Sequence, residues 1–159
     1  MKLLYIHARD LKFEAGPSGH NRSNQKRNEV LMRKKLGSAL PELTPINRSL
    51  QSANALLVWV CAEKGDEQLK LELIRDDIIR ARAVLGVLEI VVCPFGHLST
   101  NPAEAMLARK ITEDLGILVQ TTYPETKTVP FGWDKSVDFH TPRHHYNVAF
   151  RSFTPEFLP

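Results

Sequence analysis

The sequence predicts an α/β domain with two helices packed on one face of a β-sheet. Three observations lead there. Ala55–Ala62 and Val87–Cys93 are continuous apolar runs of strand length, the pattern of strands buried on both faces. Between them Leu71, Ile74, Ile78, Ala81 and Leu85 recur at three- and four-residue spacing, one apolar face of a helix. After the second run, Leu107, Ile111 and Leu115 repeat the helical spacing, so strands and helices alternate. The chain has 159 residues, 43% hydrophobic and 25% charged, enough for one domain with its own core and too apolar for wholesale disorder.

Taken in order, residues 2–8 read as the opening strand, with 10–15 continuing it as a hairpin partner. Gly16-Pro17-Ser18-Gly19 breaks regularity. A short helix is expected over Asn28–Leu36, ended by Gly37, and Pro41 and Pro45 keep the next stretch irregular, so parts of 19–50 are expected to be mobile. The strand at 55–62 leads to Gly65-Asp66, read as a turn and helix cap. The helix then runs to Leu85, with Gly86 as its C′ residue. Asn101-Pro102-Ala103-Glu104 carries the signals of a helix start. Gly116 is expected to end that helix, Ile117–Thr122 to form a strand, and Thr126–Val129 to lead onward. Ser136–His140 reads as a strand and Tyr146–Phe153 as a final strand or helix. Residues 1–153 thus form one domain, with 19–50 a basic insertion and 154–159 a tail or the start of a linker.

Two motifs stand out for chemistry. Pro94-Phe95-Gly96-His97-Leu98-Ser99 and Pro130-Phe131-Gly132-Trp133-Asp134-Lys135 each follow a β-prone stretch and place an ionisable side chain just past a glycine. Proline, aromatic and glycine in series make a stiff turn that lets backbone approach a ligand. The imidazole of His97 suits general acid–base work or substrate orientation, or simply a bond to a loop carbonyl. Lys135 suits stabilisation of developing negative charge or the holding of a water, or is an exposed strand lysine. Two such turns facing one another would build a small pocket with exposed backbone amides.

Other constellations point to fewer functions. Cys61 and Cys93 end apolar strands and are read as buried free thiols, with no zinc spacing. His140, His144 and His145 cluster, but Pro142 argues against a helix that would align them, and no metal site is expected. No P-loop, dinucleotide-binding glycine pattern or nucleophile elbow is present, so no cofactor is expected. No apolar run reaches membrane-spanning length and the opening residues do not form a secretory signal, so the expected location is cytoplasmic, away from membranes. The net charge is +3, yet residues 19–48 hold seven cationic side chains, among them Arg22, Lys26, Arg27, Lys34 and Lys35, against Glu29 and Glu42. Such an arm suits an anionic partner such as RNA, or is a solvated loop.

The chain resembles the N-terminal editing domain of archaeal threonyl-tRNA synthetases. The matching pieces are Met1-Lys2-Leu3-Leu4-Tyr5-Ile6-His7, Glu63-Lys64-Gly65-Asp66-Glu67, Cys93 to Ser99 and Val129 to Lys135, in order. The resemblance covers most of the chain and implies a D-aminoacyl-tRNA deacylase-like fold with a mixed β-sheet. It further implies hydrolysis of seryl-tRNA(Thr), with Lys135 and His97 as the catalytic residues. Ala62, Pro94, Phe95, Gly96, Phe131, Trp133 and Asp134 form the implied pocket around the serylated tRNA 3′ end. A homodimer and a synthetase catalytic domain, in cis or in trans, are the implied partners. Two departures are visible: the family often has a second aromatic where Asp134 stands, and its C-terminal glutamate has Val148 as the ungapped equivalent. Asp134 is read as a carboxylate supplied from a different place. Two alternatives stay open, D-aminoacyl-tRNA deacylation on the same fold and a non-catalytic tRNA-binding module.

Overall fold

A computed structural model describes residues 1–155. Strand β1 (Lys2–Gly16) runs through both of the first two sequence segments without turning back. The expected hairpin at residue 10 is instead a local irregularity. Asp10 takes a left-handed conformation (φ 50°), and the pairing with the neighbouring strand shifts register between Arg9 and Lys12. A bulge of this kind bends a strand while leaving its ladder with the other neighbour in place. That neighbour is β2 (Ser49–Cys61), antiparallel to β1 along most of its length. Its polar first third was invisible as a strand because it lacks the apolar run of Ala55–Cys61.

Strands β3 (Glu89–Pro94) and β4 (Thr126–Thr128) extend the sheet in parallel from β2, while β5 (Asp134–His140) and β6 (Val148–Ser152) share the other edge of β1. The order is β4-β3-β2-β1-β5, with β6 also paired to β1. This mixed sheet carries α2 (Leu71–Leu85) and α3 (Ala105–Thr122) on one face. Ile74, Ile78, Ile111, Leu115 and Val119 pack there against Leu3, Tyr5, Leu56, Val58, Ile90 and Val92. A third helix, α1 (Arg22–Leu36), meets the opposite face through Met32 and Leu36, beside Leu11, Phe13, Leu57, Val91 and Trp133.

Three local expectations are corrected. Helix α1 begins six residues earlier than expected, because the Asn21 side chain accepts the Asn24 N–H at 2.9 Å as an N-cap. Asp66 does not cap α2; it sits buried in a short 3-10 turn, accepting the Glu63 N–H at 2.6 Å and the Met1 ammonium at 2.7 Å. Asn101-Pro102 lies outside α3, because this backbone is drawn against the end of β2. Pro102 bridges to Glu63, and the Ala103 N–H donates to the Ala62 carbonyl at 2.9 Å.

The largest correction is at 117–122, which is helix and not strand. Leu115 and Val119 are fully buried four residues apart, so one apolar stripe crosses Gly116 unbroken. Gly116 is there for close approach. A Cβ at this position would stand 2.5 Å from Thr128 Oγ1 and 3.3 Å from its Cγ2. Gly116→Ala therefore sets a gain of about 1 kcal/mol in helix propensity against overpacking of about 1–3 kcal/mol. Net destabilisation is expected, turning to stabilisation when combined with Thr128→Ala. Denaturant unfolding of the two single variants and the double checks this.

The two cysteines are buried and unpaired. Of the expected tail 154–159, residues 156–159 lie outside the described residues.

Candidate functional site

Both Pro-Phe-Gly turns leave the sheet at the same end. The first continues from β3, where the Phe95 N–H donates to the Val60 carbonyl at 2.8 Å, and it closes into a 3-10 turn over Gly96–Leu98. The Phe95 ring lies on Trp59 with centroids 4.1 Å apart. His97 meets the Phe95 edge at 5.4 Å and 69°, so an exposed imidazole is held by an aromatic stack. Ser99 donates to Glu63, whose carboxyl the Ser99 bond and the Met1 ammonium hold below the usual range despite partial burial.

The second turn is anchored where the Val129 N–H donates to the Val92 carbonyl at 2.9 Å. Gly132 takes φ 78°, and a Cβ there would lie 2.8 Å from Leu36 Cδ1. Trp133 is buried and donates its indole N–H to the Pro41 carbonyl at 2.8 Å. From this clamp β5 departs, with Lys135 opposite Ala15 of β1.

One cavity of about 780 Å³ lies between the turns. All nine residues expected in the site line it: Ala62, Pro94, Phe95, Gly96 and His97 from one side, Phe131, Trp133, Asp134 and Lys135 from the other. Ala62 is buried at the end of β2, while Gly96 faces open space, with nothing within 4 Å of a Cβ built on it. Of the expected RNA-contacting residues, Lys35 reaches this cavity. Arg27 lines a separate groove beside Ser18–His20, and Arg22, Lys26 and Lys34 are exposed on α1.

Lys135 lines the cavity half-buried. Burial holds its ammonium below the ordinary lysine value, against the opposing pull of Cys93 and Asp134. Its Nζ donates to the Trp133 carbonyl at 2.8 Å. An ammonium has three donors, and this is the one bond it makes among the described residues, so two remain for a ligand or water. Burial pushes the Cys93 thiol up to about 11, with Lys135 pulling the other way. Near neutral pH the thiol therefore keeps its proton and is a poor nucleophile.

Sequence reasoning missed several lining residues: Trp59, Cys61, Thr112, Val137 and Phe139. For the strand residues alternation was the available signal, since Trp59 and Cys61 share one face of β2, and Lys135, Val137 and Phe139 one face of β5; Thr112 comes from α3. The Trp59 indole N–H is buried without a partner among the described residues.

Asp134 is the one carboxylate among the described residues lining the cavity, and it accepts the Ser18 N–H at 3.1 Å. Val148 lies away from it, half-exposed on β6 opposite Ile6. The expected histidine cluster is dispersed. His140 faces Asp10 at 3.5 Å, whereas His144 is hydrogen-bonded to His7 at 2.8 Å.

The sequence profile of the archaea-specific editing domain of threonyl-tRNA synthetase matches residues 1–152. A threonine–tRNA ligase of Thermofilum pendens is 29% identical over 157 residues, covering 98% of this chain and 23% of the relative. The threonine–tRNA ligase editing subunit of Saccharolobus solfataricus is 29% identical over 136 residues, 86% of this chain and 30% of that subunit. A threonine–tRNA ligase of Pyrobaculum arsenaticum is 31% identical over 108 residues, covering 66% of this chain and 18% of the relative. The chain thus spans less than a third of the length of each. Among solved structures, the c-Myc DNA unwinding element binding protein superposes with a TM-score of 0.60 at 12% identity, covering 97% of this chain and 99% of that one. This likeness speaks to the fold, which is of the D-aminoacyl-tRNA deacylase-like kind.

Proposed function

The chain belongs to the archaea-specific editing-domain family of threonyl-tRNA synthetases, and we propose that it hydrolyses the ester joining L-serine to tRNA(Thr). It would act in the cytoplasm, in cis or in trans with a synthetase catalytic domain. The observation that carries this reading is the single cavity shared by the two Pro-Phe-Gly turns, with Lys135 and His97 on its walls. Serine lacks one methyl of threonine, and a missing methyl gives a synthetic site only about 1–3 kcal/mol of discrimination. A second pocket that admits the hydroxymethyl group and rejects the extra methyl supplies the rest. Ala62, Gly96 and the Phe131 wall suit that task, being small side chains beside backbone and one rigid ring.

In the proposed reaction a water attacks the ester carbonyl. The two spare donors of Lys135, with backbone amides of the turns, orient the water and stabilise the oxyanion. Collapse of the tetrahedral intermediate breaks the bond to the ribose oxygen, which takes up the proton released by the water. Serine and uncharged tRNA leave. His97, braced on Phe95, positions the terminal ribose. A second copy of the chain is proposed to cover the apolar patch at β6, where Tyr146, Val148 and Phe150 are exposed near Leu4 of β1.

The direct test compares deacylation of Ser-, Thr- and D-aminoacyl-tRNA(Thr). Selective loss of the seryl ester is expected. Equal hydrolysis of Ser- and Thr-tRNA, or hydrolysis of the D-ester alone, overturns the serine reading. Salt-dependent tRNA binding without any deacylation identifies a binding module instead.

The pH dependence follows from Lys135. The charged form does the work, so the enzymatic rate, corrected for spontaneous ester hydrolysis, falls as pH rises through the depressed value. That fall comes below the ordinary lysine pKa of about 10.4. Lys135→Arg, which keeps its charge, should lose this alkaline limb even where its overall rate is lower. The same shift acts on stability. Between the depressed folded value and the ordinary one the unfolded chain binds the extra proton, so this lysine's contribution to stability rises with pH. Cys93 acts oppositely. Above the usual thiol value and up to about 11 the folded thiol keeps a proton that the unfolded one releases, and stability falls.

A further inference from the structure

We propose that one face of α1 guides the 3′ strand of the RNA into the cavity, with Lys35 holding the phosphate that precedes the terminal adenosine. The inference rests on the editing function proposed above and assigns Lys35 as a positioning residue for it.

Arg27, Leu31 and Lys35 recur every four residues, so they share one face of the helix. At the N-terminal end Asn24, Arg27, Asn28 and Leu31 line the groove that α1 makes with Ser18–His20. At the C-terminal end Lys35 and Leu36 line the wall of the cavity that contains Lys135. From Arg27 to Lys35 the path is about 12 Å long at the helical rise. Groove, helix face and cavity are therefore consecutive.

The cations along α1 are not equivalent. Arg33 is committed: it pairs with Glu29 at 2.9 Å and Glu42 at 3.5 Å, and its guanidinium lies 5.6 Å from the Trp133 ring centre. Lys34 and Lys35 both complement the negative end of the helix dipole. Of the two, Lys35 lines the cavity, and it forms no ion pair among the described residues. Leu31 is 53% exposed on a helix that buries none of its own residues completely, a position open to an unstacked base.

The backbone that carries Lys35 is tied to the catalytic turn. Leu36 and Leu40 close over Gly132, Trp133 donates to Pro41, and Arg109 of α3 donates to the Ser38 carbonyl at 2.9 Å. The cavity thus has two lysines on its lining, carried by backbone segments that pack against each other. Lys135 is half-buried and suits a neutral ester, whereas Lys35 is exposed at the mouth and suits a solvated phosphate. A nucleic-acid substrate presents those two groups in that order, the ester on the terminal ribose and the phosphate one bond path further out.

The experiment measures kcat/KM for seryl-tRNA(Thr) and for 3′-seryl-adenosine, which lacks the phosphate, in wild type, Lys35→Met and Lys35→Arg. The ratio of the two, tRNA over nucleoside, is expected to fall about tenfold in Lys35→Met, chiefly through KM. It should recover in Lys35→Arg. The slope of log(kcat/KM) for tRNA against log salt should flatten by about 0.7 in Lys35→Met, one single-strand phosphate contact. An unchanged ratio in Lys35→Met, with wild type hydrolysing both substrates, overturns this inference alone. A wild-type protein that hydrolyses neither substrate overturns the editing reading and this inference with it.

Discussion

Lys135→Met is expected to slow deacylation of Ser-tRNA(Thr) by about 100- to 1,000-fold, the range for losing one pre-aimed donor to an oxyanion. Methionine keeps much of the side-chain length and volume while removing the ammonium. The Lys135 charge is held in a site where burial disfavours it, and its one hydrogen bond among the described residues is to the Trp133 carbonyl. Removing it costs one hydrogen bond and relieves a desolvated charge, so the unfolding midpoint should stay within a few degrees of wild type. Single-turnover deacylation alongside thermal unfolding separates the two effects. A variant as active as wild type removes Lys135 from the mechanism. Inactivity with a collapsed midpoint makes the lysine structural.

The second large effect is expected at Gly132. Gly132→Val places a β-branched residue at φ 78°, where such residues are rarely tolerated. Its Cβ would also stand 2.8 Å from Leu36 Cδ1 and 3.1 Å from Leu40 Cδ1. Backbone strain and overpacking together should destabilise the fold by roughly 2–4 kcal/mol. The consequence for activity is distinct. The turn carries Trp133, Asp134 and Lys135, and a displacement near 1 Å is enough to cost about 100-fold in rate. Gly96→Ala is the matched control for stability, since its Cβ meets nothing within 4 Å and its φ is ordinary. Chemical denaturation should find Gly132→Val strongly destabilised and Gly96→Ala close to wild type.

The contrast between these glycines shows what the sequence carried. Both turns were legible because proline, phenylalanine and glycine in series constrain the chain locally. The strands before them were legible as apolar runs. Which glycine was needed for left-handed backbone and which for open space depends on Leu36 and Leu40, almost a hundred residues away in the chain. Helix α3 failed for a related reason. Gly116 followed by Ile117-Leu118-Val119 looks like a helix stop and a strand start, whereas the buried Leu115–Val119 stripe carries the helix across a glycine that Thr128 packs against. Helix α1 has no fully buried residue, so no apolar stripe marked its first turns or its route to the site. Lys35 was visible as charge, but its place at the cavity mouth follows from the docking of Leu36 on the second turn. Val148 lies on β6 at the edge of β1, whereas Asp134 lines the cavity, a placement that the sequence alone did not show.

The most direct test is a crystal structure of the protein with a non-hydrolysable seryl-adenosine analogue, its ester replaced by an amide. The expected result has one ligand bridging both turns, with the seryl group beside Ala62 and Gly96. Lys135 Nζ should then lie within hydrogen-bond distance of the acyl oxygen or its attacking water, and His97 should touch the ribose. A ligand seated outside the cavity, or held by one turn while the other faces solvent, contradicts the account.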